Sequence, residues 1–406
     1  MCAMRDLDAK AREAKGKKAA FGQDIDLESF SSDNPFHEAV QDIGQLPENE
    51  RERMLMAGID TRPGVRSGTY LQKDGTSVYS TSLQEGLEII PIKTALEKLD
   101  WVKEYYWKLL SVDTDKYTAR ARLDLHNGYV IRALPGAKVT YPAQACMYIE
   151  KDGFSQNVHN IIIAEENSEL HIITGCATAA HVARGLHVGI SEYYVKKGAK
   201  LSFTMIHHWA EDVAVRPRSA GVVEEGGLFL NNYISMKPVK SLQMYPTVYL
   251  KGKGAVARFY SLLVGSPGGE LDVGGRVYLS AEETRAEVIS RAITNGGNII
   301  ARGDLIGEIA GVRGHLECRG LILKEGSIHA IPELTGKVDG VDMSHEAAVG
   351  KIAQDEILYL MSRGLNEDEA TATIVRGFLS VDIPGLPAPL KEEIDRAVEL
   401  SQQDMM

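Results

Sequence analysis

The stretch that decides the fold is KKGAKLSFTMIHHWAEDVAVRPRSAGVVEEGGLFLNNYISMKPVKSLQMYPTVYLKGKG, residues 196–254. Three short turns, KKG, EEGG and KGKG, begin at residues 196, 224 and 251. Each leads through a small residue into a run rich in branched and aromatic side chains, which is the composition of a β-strand. EEN at residue 165 and EET at residue 282 continue the series on both sides. The turns therefore recur at intervals of roughly 30 residues, with little identity between the repeats.

A constant interval between turns indicates a stacked repeat, whereas a β-sandwich would turn about every 8–12 residues without the longer period. Strand-like runs such as LFLNNYISM, VARFYSLLV and NIIARGDLI fill the region from Leu123 to Ile331. Helical patterns are nearly missing from it, which disfavours a βαβ fold. We therefore predict a mainly β protein whose core, residues 121–336, is a β-solenoid with two or more strands per coil.

The regions on both sides of this core have helical periodicity. In the N-terminal region, residues 1–120, apolar side chains recur at three- and four-residue spacing in Glu38–Gly58 and in Ile92–Ser111. We predict a mainly helical region with one helix in each segment. The aromatic residues of the second segment are expected to pack on the rest of the protein.

The C-terminal region, residues 337–406, is also predicted to be helical. Ser344 is the expected N-cap of a first helix, and Gly364 is expected to end it. Asn366, with a glutamate three residues later, resembles a capping box that starts a second helix. A short final helix is expected from about Leu390, after the sequence PGLPAP. Helices this short do not form a core alone, so they should pack on the solenoid or present a face to a partner.

Composition excludes several classes of function. Of the 406 residues 44% are hydrophobic and 25% are charged, and the net charge of −11 is the wrong sign for a nucleic-acid-binding surface. The first twenty residues contain no apolar core of a signal peptide, and no apolar run reaches the length of a membrane span. The four cysteines are widely scattered and form no CxxC pair, so a disulfide framework and a zinc knuckle are not expected. These features predict a cytoplasmic protein with free thiols.

The common catalytic motifs do not occur in the sequence. There is no P-loop, no GxGxxG after a strand and no GxSxG elbow, and HEAAV at His345 lacks the second histidine of a zinc protease. An enzyme that acts alone is therefore not supported.

Four local groups could still carry chemistry: ITGCATAA around Cys176, IHHW with His207 and Trp209, HLECRG with Cys318, and MSHEAA with His345 and Glu346. Each also has a structural interpretation. The two cysteines can be buried strand residues, the histidine pair can be half-buried, and a glutamate in a first helical turn is explained by the helix dipole. Thiolate, imidazole and carboxylate together nevertheless suit iron, and a separate thiol suits a sulfur carrier.

The sequence resembles the SufB/SufD family of iron–sulfur cluster assembly scaffolds from about Pro142 to Phe378. IIIAEENSELHIITGCA, GLHVGISEYYVKKGAKLSF and YPTVYLKGKGAVARFYSLLV are similar to the middle of the family's core. CRGLILKEGSIHAIPELTGKVDGVDMSHEAAVGKIAQDEILYLMSRGLNEDEA carries the strongest resemblance and continues into the C-terminal helices.

The resemblance implies a right-handed parallel β-helix flanked by helical segments, and a non-catalytic protein rather than an enzyme. Members of the family pair through the ends of their solenoids. Their C-terminal helices dock a separate ABC-type ATPase, SufC. The implied function is de novo iron–sulfur cluster assembly, with sulfur and iron received on the scaffold and the nascent cluster passed to apo-proteins.

The resemblance also assigns roles to individual residues. Cys176 matches the cysteine that receives persulfide sulfur, and Cys318 matches the interface cysteine that holds the nascent cluster. His345 matches a histidine shared by both branches of the family, and Glu346 matches a SufB carboxylate. His207 lies next to the sulfur path, where a glutamine–asparagine pair is usual, and Trp209 matches the tryptophan of that path. Lys237 aligns with a lysine of the path across a one-residue gap.

The sequence combines features of the two branches. PELTGKVDGVDMSH is similar to SufD, while Cys318 and HEAAVGKI are similar to SufB, and this combination resembles the short archaeal members called SmsB. It implies a homodimer that presents Cys318, His345 and Glu346 twice at one interface, with a transient 4Fe–4S cluster as cargo. Some family complexes also bind reduced flavin.

Two other functions remain as alternatives. A SufD-like structural partner would carry no cluster of its own, and Cys318 and Glu346 speak against it. A β-helix carbohydrate lyase or hydrolase would need clustered carboxylates or arginines on one solenoid face, and the strands show no such cluster.

Overall fold

The computed structural model describes residues 2–379, with side chains from residue 5 onward. It is mainly β, with 45% strand and 18% helix, and its centre is a parallel β-solenoid of about eight coils. The predicted fold class is thus confirmed. None of the helices in residues 2–379 combines the length and the hydropathy needed to cross a bilayer.

The described part of the chain contains six α-helices and three short 3-10 helices. The α-helices are α1 Cys2–Glu13, α2 Glu48–Met56, α3 Ile92–Lys98, α4 Lys116–Leu123, α5 Gln354–Ser362 and α6 Glu367–Leu379. The 3-10 helices are Leu27–Ser29, Ile43–Gln45 and Asp100–Glu104.

The strands form two long sheets that face each other across the solenoid interior. Sheet 1 contains, in spatial order, β2 Thr76–Ser82, β1 Gly68–Lys73, β5 Ala143–Ile149, β7 Glu169–Thr178, β9 Lys200–His208, β12 Leu228–Ser235, β15 Val256–Gly265, β17 Arg285–Thr294, β19 Arg313–Ile322 and β21 Asp342–Gly350. Sheet 2 contains β3 Leu87–Pro91, β4 Tyr129–Ala133, β6 Phe154–Ala164, β8 Arg184–Val195, β10 Asp212–Val215, β11 Arg218–Val223, β13 Ser241–Met244, β14 Thr247–Leu250, β16 Glu270–Leu279, β18 Asn298–Gly307 and β20 Ser327–Gly336.

Coils stack in register through one repeated turn. In each coil one residue of this turn has a left-handed backbone, and in most coils its N–H donates to a carbonyl of the following coil: Gly198 to Glu225 at 2.8 Å, and Gly226 to Lys253 at 2.9 Å. The series is Asn167, Gly198, Gly226, Gly254, Glu283, Gly311 and Gly340. Glycine predominates there because a side chain disfavours positive φ. These are the turns that the sequence interval predicted.

The interior of the solenoid is apolar over most of its length, as the alternation of the strands requires. Leu170, Leu201, Phe229, Ala257 and Ala286 succeed one another in register along sheet 1, and all are buried. A second buried cluster forms on the outer face of sheet 2, where α3, α4 and the loop after Asp100–Glu104 cover β6 and β8.

A buried carboxylate holds the loop after Asp100–Glu104 against the solenoid. Glu192 on β8 accepts hydrogen bonds from the backbone N–H groups of Trp107, Lys108 and Leu109, at 2.7, 2.7 and 2.5 Å. His159 on β6 lies 2.9 Å from the same carboxylate, and both side chains are fully buried. Trp107 has φ +56°, a strained value that the surrounding contacts maintain.

An extended segment, residues 16–45, crosses the outside of the solenoid and is called the N-terminal strap below. The Phe21 ring packs edge-on against Tyr245, 5.2 Å between centroids, and lies 4.3 Å from the Arg302 guanidinium. Arg216 donates to the carbonyl of Gln23 at 2.9 Å. At its other end the strap joins sheet 1, where Val40 donates to Val78 at 2.9 Å.

Both predicted N-terminal helices are shorter than expected. The segment Glu38–Gly58 is helical only in Glu48–Met56, and Ile92–Ser111 divides into α3 and the 3-10 helix Asp100–Glu104 before the left-handed Trp107 ends it. Residues 1–120 also contain β1, β2 and β3, which periodicity did not reveal. The predicted boundaries of the three regions, at residues 120 and 336, stay predictions.

The prediction of a helix with Ser344 as its N-cap is wrong. Residues Asp342–Gly350 form β21, because pairing with β19 outweighs the helix propensity of the alanines in HEAAV. The helix that follows starts at Gln354, and Gly364 ends it with φ +100°. The capping box of α6 is confirmed. The backbone N–H of Asn366 donates to the Glu369 carboxylate at 2.8 Å, and the backbone N–H of Glu369 donates to Asn366 Oδ1 at 2.9 Å. The helix expected from Leu390 lies outside the described residues.

Replacing Glu192 with Gln should destabilise the protein by about 3 kcal/mol, because it removes a buried charge from its hydrogen-bond donors and from His159. The free energy of unfolding in urea, followed by circular dichroism, measures this. Glu225→Gln is the matched control, because the exposed Glu225–Lys197 ion pair should be worth less than about 1 kcal/mol. Equal unfolding curves for the two variants would contradict the anchoring role of Glu192.

Candidate functional site

Cys318 lies on β19, one strand from the described end of sheet 1. Its register partners are Ser290 on β17 and Ala347 on β21, and its side chain shares the inward face with buried Leu316. Burial raises the pKa of the Cys318 thiol, Glu317 raises it further and Arg291 opposes the shift. The thiol is therefore protonated at neutral pH until a metal displaces its proton.

His345 and Glu346 lie on β21, and both are exposed. His345 pairs with Leu316, so it faces inward, diagonally next to Cys318 and about 8 Å away between Cα atoms by strand geometry. Glu346 pairs with Glu317 and therefore faces outward. The fold thus brings Cys318 and His345 to one face and directs Glu346 to the other.

Glu317, the register partner of Glu346, is already paired with two arginines. Glu317 lies 2.7 Å from both Arg291 and Arg319, so its carboxylate is already neutralised. Within residues 2–379 no three histidine, cysteine or carboxylate side chains come close enough to hold a metal ion. A single copy of the described chain therefore does not present a complete metal site at this end.

The end of the solenoid is open. Within the described residues β20 pairs only with β18 and β21 only with β19, so each strand has an edge of unpaired backbone groups. Leu334, Val338 and Val349 expose 39%, 47% and 41% of their surface there. Unpaired edges flanked by exposed apolar side chains are suited to pairing with another chain.

Cys176 lies far from that end, on β7 in the solenoid interior. It is completely buried, with Met147 on β5 and His207 on β9 as register partners. Burial raises the pKa of its thiol well above the usual value, and nearby Cys146 adds to the shift. The sulfur-acceptor candidate and the cluster-ligand candidate are thus on one sheet, separated by β9, β12, β15 and β17.

His207 and Trp209 lie beside Cys176, while His208 faces the other way. The rings of His207 and Trp209 are 5.6 Å apart, and the Trp209 ring lies 5.2 Å from that of His187 on β8. Burial lowers the pKa of His207 well below its usual value, with a contribution from His187. His207 is accordingly a neutral imidazole at physiological pH.

Lys237 follows β12 and lines an open cleft of about 760 Å³, together with Asp212, Pro238 and Asn295. Burial lowers the pKa of its ammonium group, and the charge of Arg53 on α2 lowers it further. The side chain therefore lies at the surface near the ends of β9 and β12, outside the apolar interior.

The sequence analysis did not select three interior residues near Cys176: Tyr233, His187 and Gln156. Tyr233 donates to or accepts from His207 Nδ1 at 3.0 Å, and His187 Nδ1 lies 2.9 Å from Gln156 Oε1. The available signal was the repeat itself. A step of one coil from His207 leads to Ser235, which puts Tyr233 on the same inward face.

The C-terminal helices offer a separate surface. Ile357 and Leu379 are buried, but Leu358, Tyr359 and Met361 of α5 are exposed. Helix α5 thus buries one side and presents apolar residues to solvent on another, which is the feature expected of a docking helix.

Comparison with known proteins agrees with this architecture. The family model described as "SUF system FeS cluster assembly, SufBD core domain" matches residues 147–378. An iron–sulfur cluster assembly SufBD family protein of Methanothermobacter thermautotrophicus is 48% identical over 409 residues, covering 99% of this chain and 100% of its own length. One from Archaeoglobus fulgidus is 52% identical over 372 residues, covering 91% of this chain and 100% of its own length.

The similarity extends to a bacterial SufB. The iron–sulfur cluster assembly protein SufB of Bacillus subtilis is 28% identical over 396 residues, covering 93% of this chain and 84% of its own length. Residues 147–378, which the family model matches, include Cys176, Cys318, His187, His207 and the open end of the solenoid. The chain therefore belongs to the SufBD family of proteins that take part in iron–sulfur cluster assembly.

Proposed function

We propose that the protein is a cytoplasmic, homodimeric scaffold on which an iron–sulfur cluster is built. The observation that carries the proposal is the open solenoid end, where Cys318 and His345 share one face beneath two unpaired strand edges. A SufC-like ABC ATPase would drive the assembly, and apo-proteins would receive the product. The scaffold would not be an enzyme: ATP hydrolysis would belong to the partner, and chemistry on the scaffold would serve only to load its own residues.

The geometry of that end supports the homodimer. A two-fold axis through β20 and β21 would cover the apolar Leu334, Val338 and Val349 of both copies, since such an interface uses the same surface twice. It would also bring two Cys318 and two His345 side chains to one interface. Thiolate and imidazole are both ligands for iron, and iron binding would secure the deprotonated thiol.

Glu346 is not proposed to bind the same iron as Cys318 and His345 of its own chain in the arrangement seen here. Because it faces away from Cys318 within its own chain, we assign it to a metal ion only across the interface or after movement of β21. Docking of the ATPase on α5 and α6 supplies such a movement, because α5 begins four residues after β21 ends. A pull on α5 would displace the strand that covers Cys318.

Sulfur would enter at Cys176. The residues assigned to its route are His207, Trp209 and Lys237, of which the first two lie in the interior and the third at the surface cleft. The expected cargo is a transient 4Fe–4S cluster. Reduced flavin belongs to the proposal only as the electron source that some family complexes carry, and no described residue is assigned to it.

Replacing Cys318 with Ser should abolish cluster retention, because a hydroxyl group is a poor ligand for iron in a sulfide cluster. Anaerobic reconstitution with ferrous iron and sulfide, followed by visible absorption and electron paramagnetic resonance, measures the loss. Cys146→Ser is the control, because Cys146 is equally buried but lies under α2 at the far end of sheet 1. A normal cluster in the Cys318 variant contradicts the assignment, and no cluster in any form of a folded dimer favours a SufD-like structural role.

Replacing Val349 with Glu should weaken the dimer at least tenfold, because it puts a charge at the edge that the second copy would cover. Sedimentation equilibrium measures the dissociation constant. Leu83→Glu, at the opposite end of sheet 1 and 59% exposed, is the matched control and should leave the dimer unchanged. Unaltered dimerisation of the Val349 variant would exclude this end as the interface.

A further inference from the structure

The solenoid interior contains a polar chamber around Cys176. Its members face inward from four neighbouring strands or follow them directly, and every one is at least nine-tenths buried. We call this group the Cys176 chamber; it consists of Cys176, His187, His207, Trp209, Tyr233 and Ser235.

Several polar atoms of the chamber lack a protein partner. Within the described residues His207 Nε2, Trp209 Nε1 and Ser235 Oγ are buried and make no hydrogen bond to any protein group. A buried polar atom without a partner costs about 1–3 kcal/mol, so three together in an otherwise apolar core require an explanation. These three atoms are free to bind a polar group next to the thiol.

The His207 ring is held by Tyr233. The Tyr233 hydroxyl lies 3.0 Å from His207 Nδ1, and the two rings meet edge-on with centroids 5.0 Å apart. Because Nδ1 is occupied, Nε2 is the atom left to act on such a group. A hydroxyl can donate or accept, so Tyr233 stabilises His207 whether Nε2 carries a proton or not.

Cys176 is the thiol next to His207 in the sheet. The two are register partners on adjacent parallel strands, about 5 Å apart between Cα atoms, and their side chains face the same way. Both groups are uncharged before sulfur arrives. Burial keeps His207 neutral and able to accept a proton, and it keeps Cys176 protonated and in need of a base.

We propose that His207, positioned by Tyr233, takes the proton from Cys176 when the thiol accepts sulfur, passes it to the leaving group of the donor and then accepts a hydrogen bond from the persulfide that forms. The proposal rests on the assignment of Cys176 as sulfur acceptor and adds the group that activates it. Three observations support it. Cys176 and His207 are register partners, Tyr233 orients the His207 imidazole, and His207 Nε2 has no protein hydrogen-bond partner among the described residues.

The step balances without an external oxidant. The donor is a persulfide or polysulfide, R–S–SH. His207 Nε2 accepts the Cys176 proton, and the thiolate attacks the terminal sulfur of the donor. A bond forms between Cys176 Sγ and that sulfur while the S–S bond of the donor breaks. The leaving R–S⁻ takes the proton from His207, so that R–SH and Cys176–S–SH are the products.

Other ionisable groups near the pair are few. Cys176 on β7, His187 on β8 and Tyr233 on β12 surround His207, while Tyr129 on β4 and Cys146 on β5 lie near Cys176. Burial raises the pKa of both tyrosines well above the usual value, and the pKa of His187 is lowered to about 4. Burial also raises the pKa of the Cys146 thiol. None of these neighbours changes charge between about pH 6 and pH 9, so the pH dependence of sulfur loading in that range reports on removal of the Cys176 proton.

The test is the rate of persulfide formation on Cys176 in the full-length protein. Inorganic polysulfide is the probe, and mass spectrometry of the Cys176 peptide under anaerobic conditions is the readout, repeated across that pH range. The wild type should load at a rate that varies little with pH. His207→Gln should be about 100-fold slower at pH 7, because general-base assistance is lost. Its rate should rise steeply with pH as the thiol ionises without help.

Tyr233→Phe keeps the ring and removes only the hydroxyl that orients His207. It should load several-fold more slowly than the wild type, and it provides the test if the His207 variant does not fold. Two controls match these changes. His171→Gln alters a buried histidine on the outer face of β7, and Tyr193→Phe alters an interior tyrosine that packs on Phe203 and Phe229. Both should load like the wild type.

The possible failures are distinguishable. If the wild type loads sulfur on Cys176 and both His207→Gln and Tyr233→Phe match its rate and pH profile, the inference is wrong while the acceptor role stands. If Cys176 of the wild type takes up no sulfur, the acceptor assignment fails and the inference with it. Cluster reconstitution from free iron and sulfide at Cys318 is independent of either outcome.

Discussion

The left-handed turn that closes each coil is the constraint on which the rest of the structure depends. From Asn167 to Gly340 one residue of this turn adopts positive φ in every coil, and in most coils its N–H donates to the coil that follows. A slip of one residue would turn every inward side chain outward. Because the turns hold the register, residues that are 28–31 positions apart in sequence, such as Cys176 and His207, become neighbours.

This stacking explains why two chemically different places arise in one solenoid. In the middle every strand has neighbours on both sides, so polar groups such as His207 and Cys176 are enclosed and their ionisation is suppressed by burial. Within residues 2–379 the last strand of each sheet has one neighbour, and His345 is exposed on the same face as Cys318. The closed chamber suits protection of reactive sulfur, and the open end suits assembly with a second chain.

The sequence was sufficient to predict the solenoid, because a turn interval is a local and repeated signal. Where one distant contact decided the structure, the prediction failed. The segment Ile92–Ser111 has helical spacing, yet Glu192, some 85 positions later, binds the backbone of Trp107 to Leu109 and ends the helix. The residues of HEAAV favour a helix, yet the free edge of β19 makes them a strand.

The candidate site was predictable in part for the same reason. Cys176, Cys318 and His345 could be selected by chemical type, but nothing local shows that Glu346 faces away from Cys318. Tyr233 was missed because a tyrosine in a hydrophobic strand is usually a core residue. Its role depends on the position of the neighbouring coil, which sequence alone gives only after the register is known.

The N-terminal strap also determines the order in which the molecule can be completed. Phe21 packs against Tyr245 and Arg302, so a segment that leaves the ribosome first is matched by a surface made about 280 residues later. At synthesis rates of about 5–20 residues per second, that surface is missing for a time on the order of 15–60 s. The early coils must therefore be stable while the strap is still undocked, and an incomplete chain offers Phe21 no place to bind. Docking of the strap thus distinguishes a finished solenoid from a truncated one before any partner arrives.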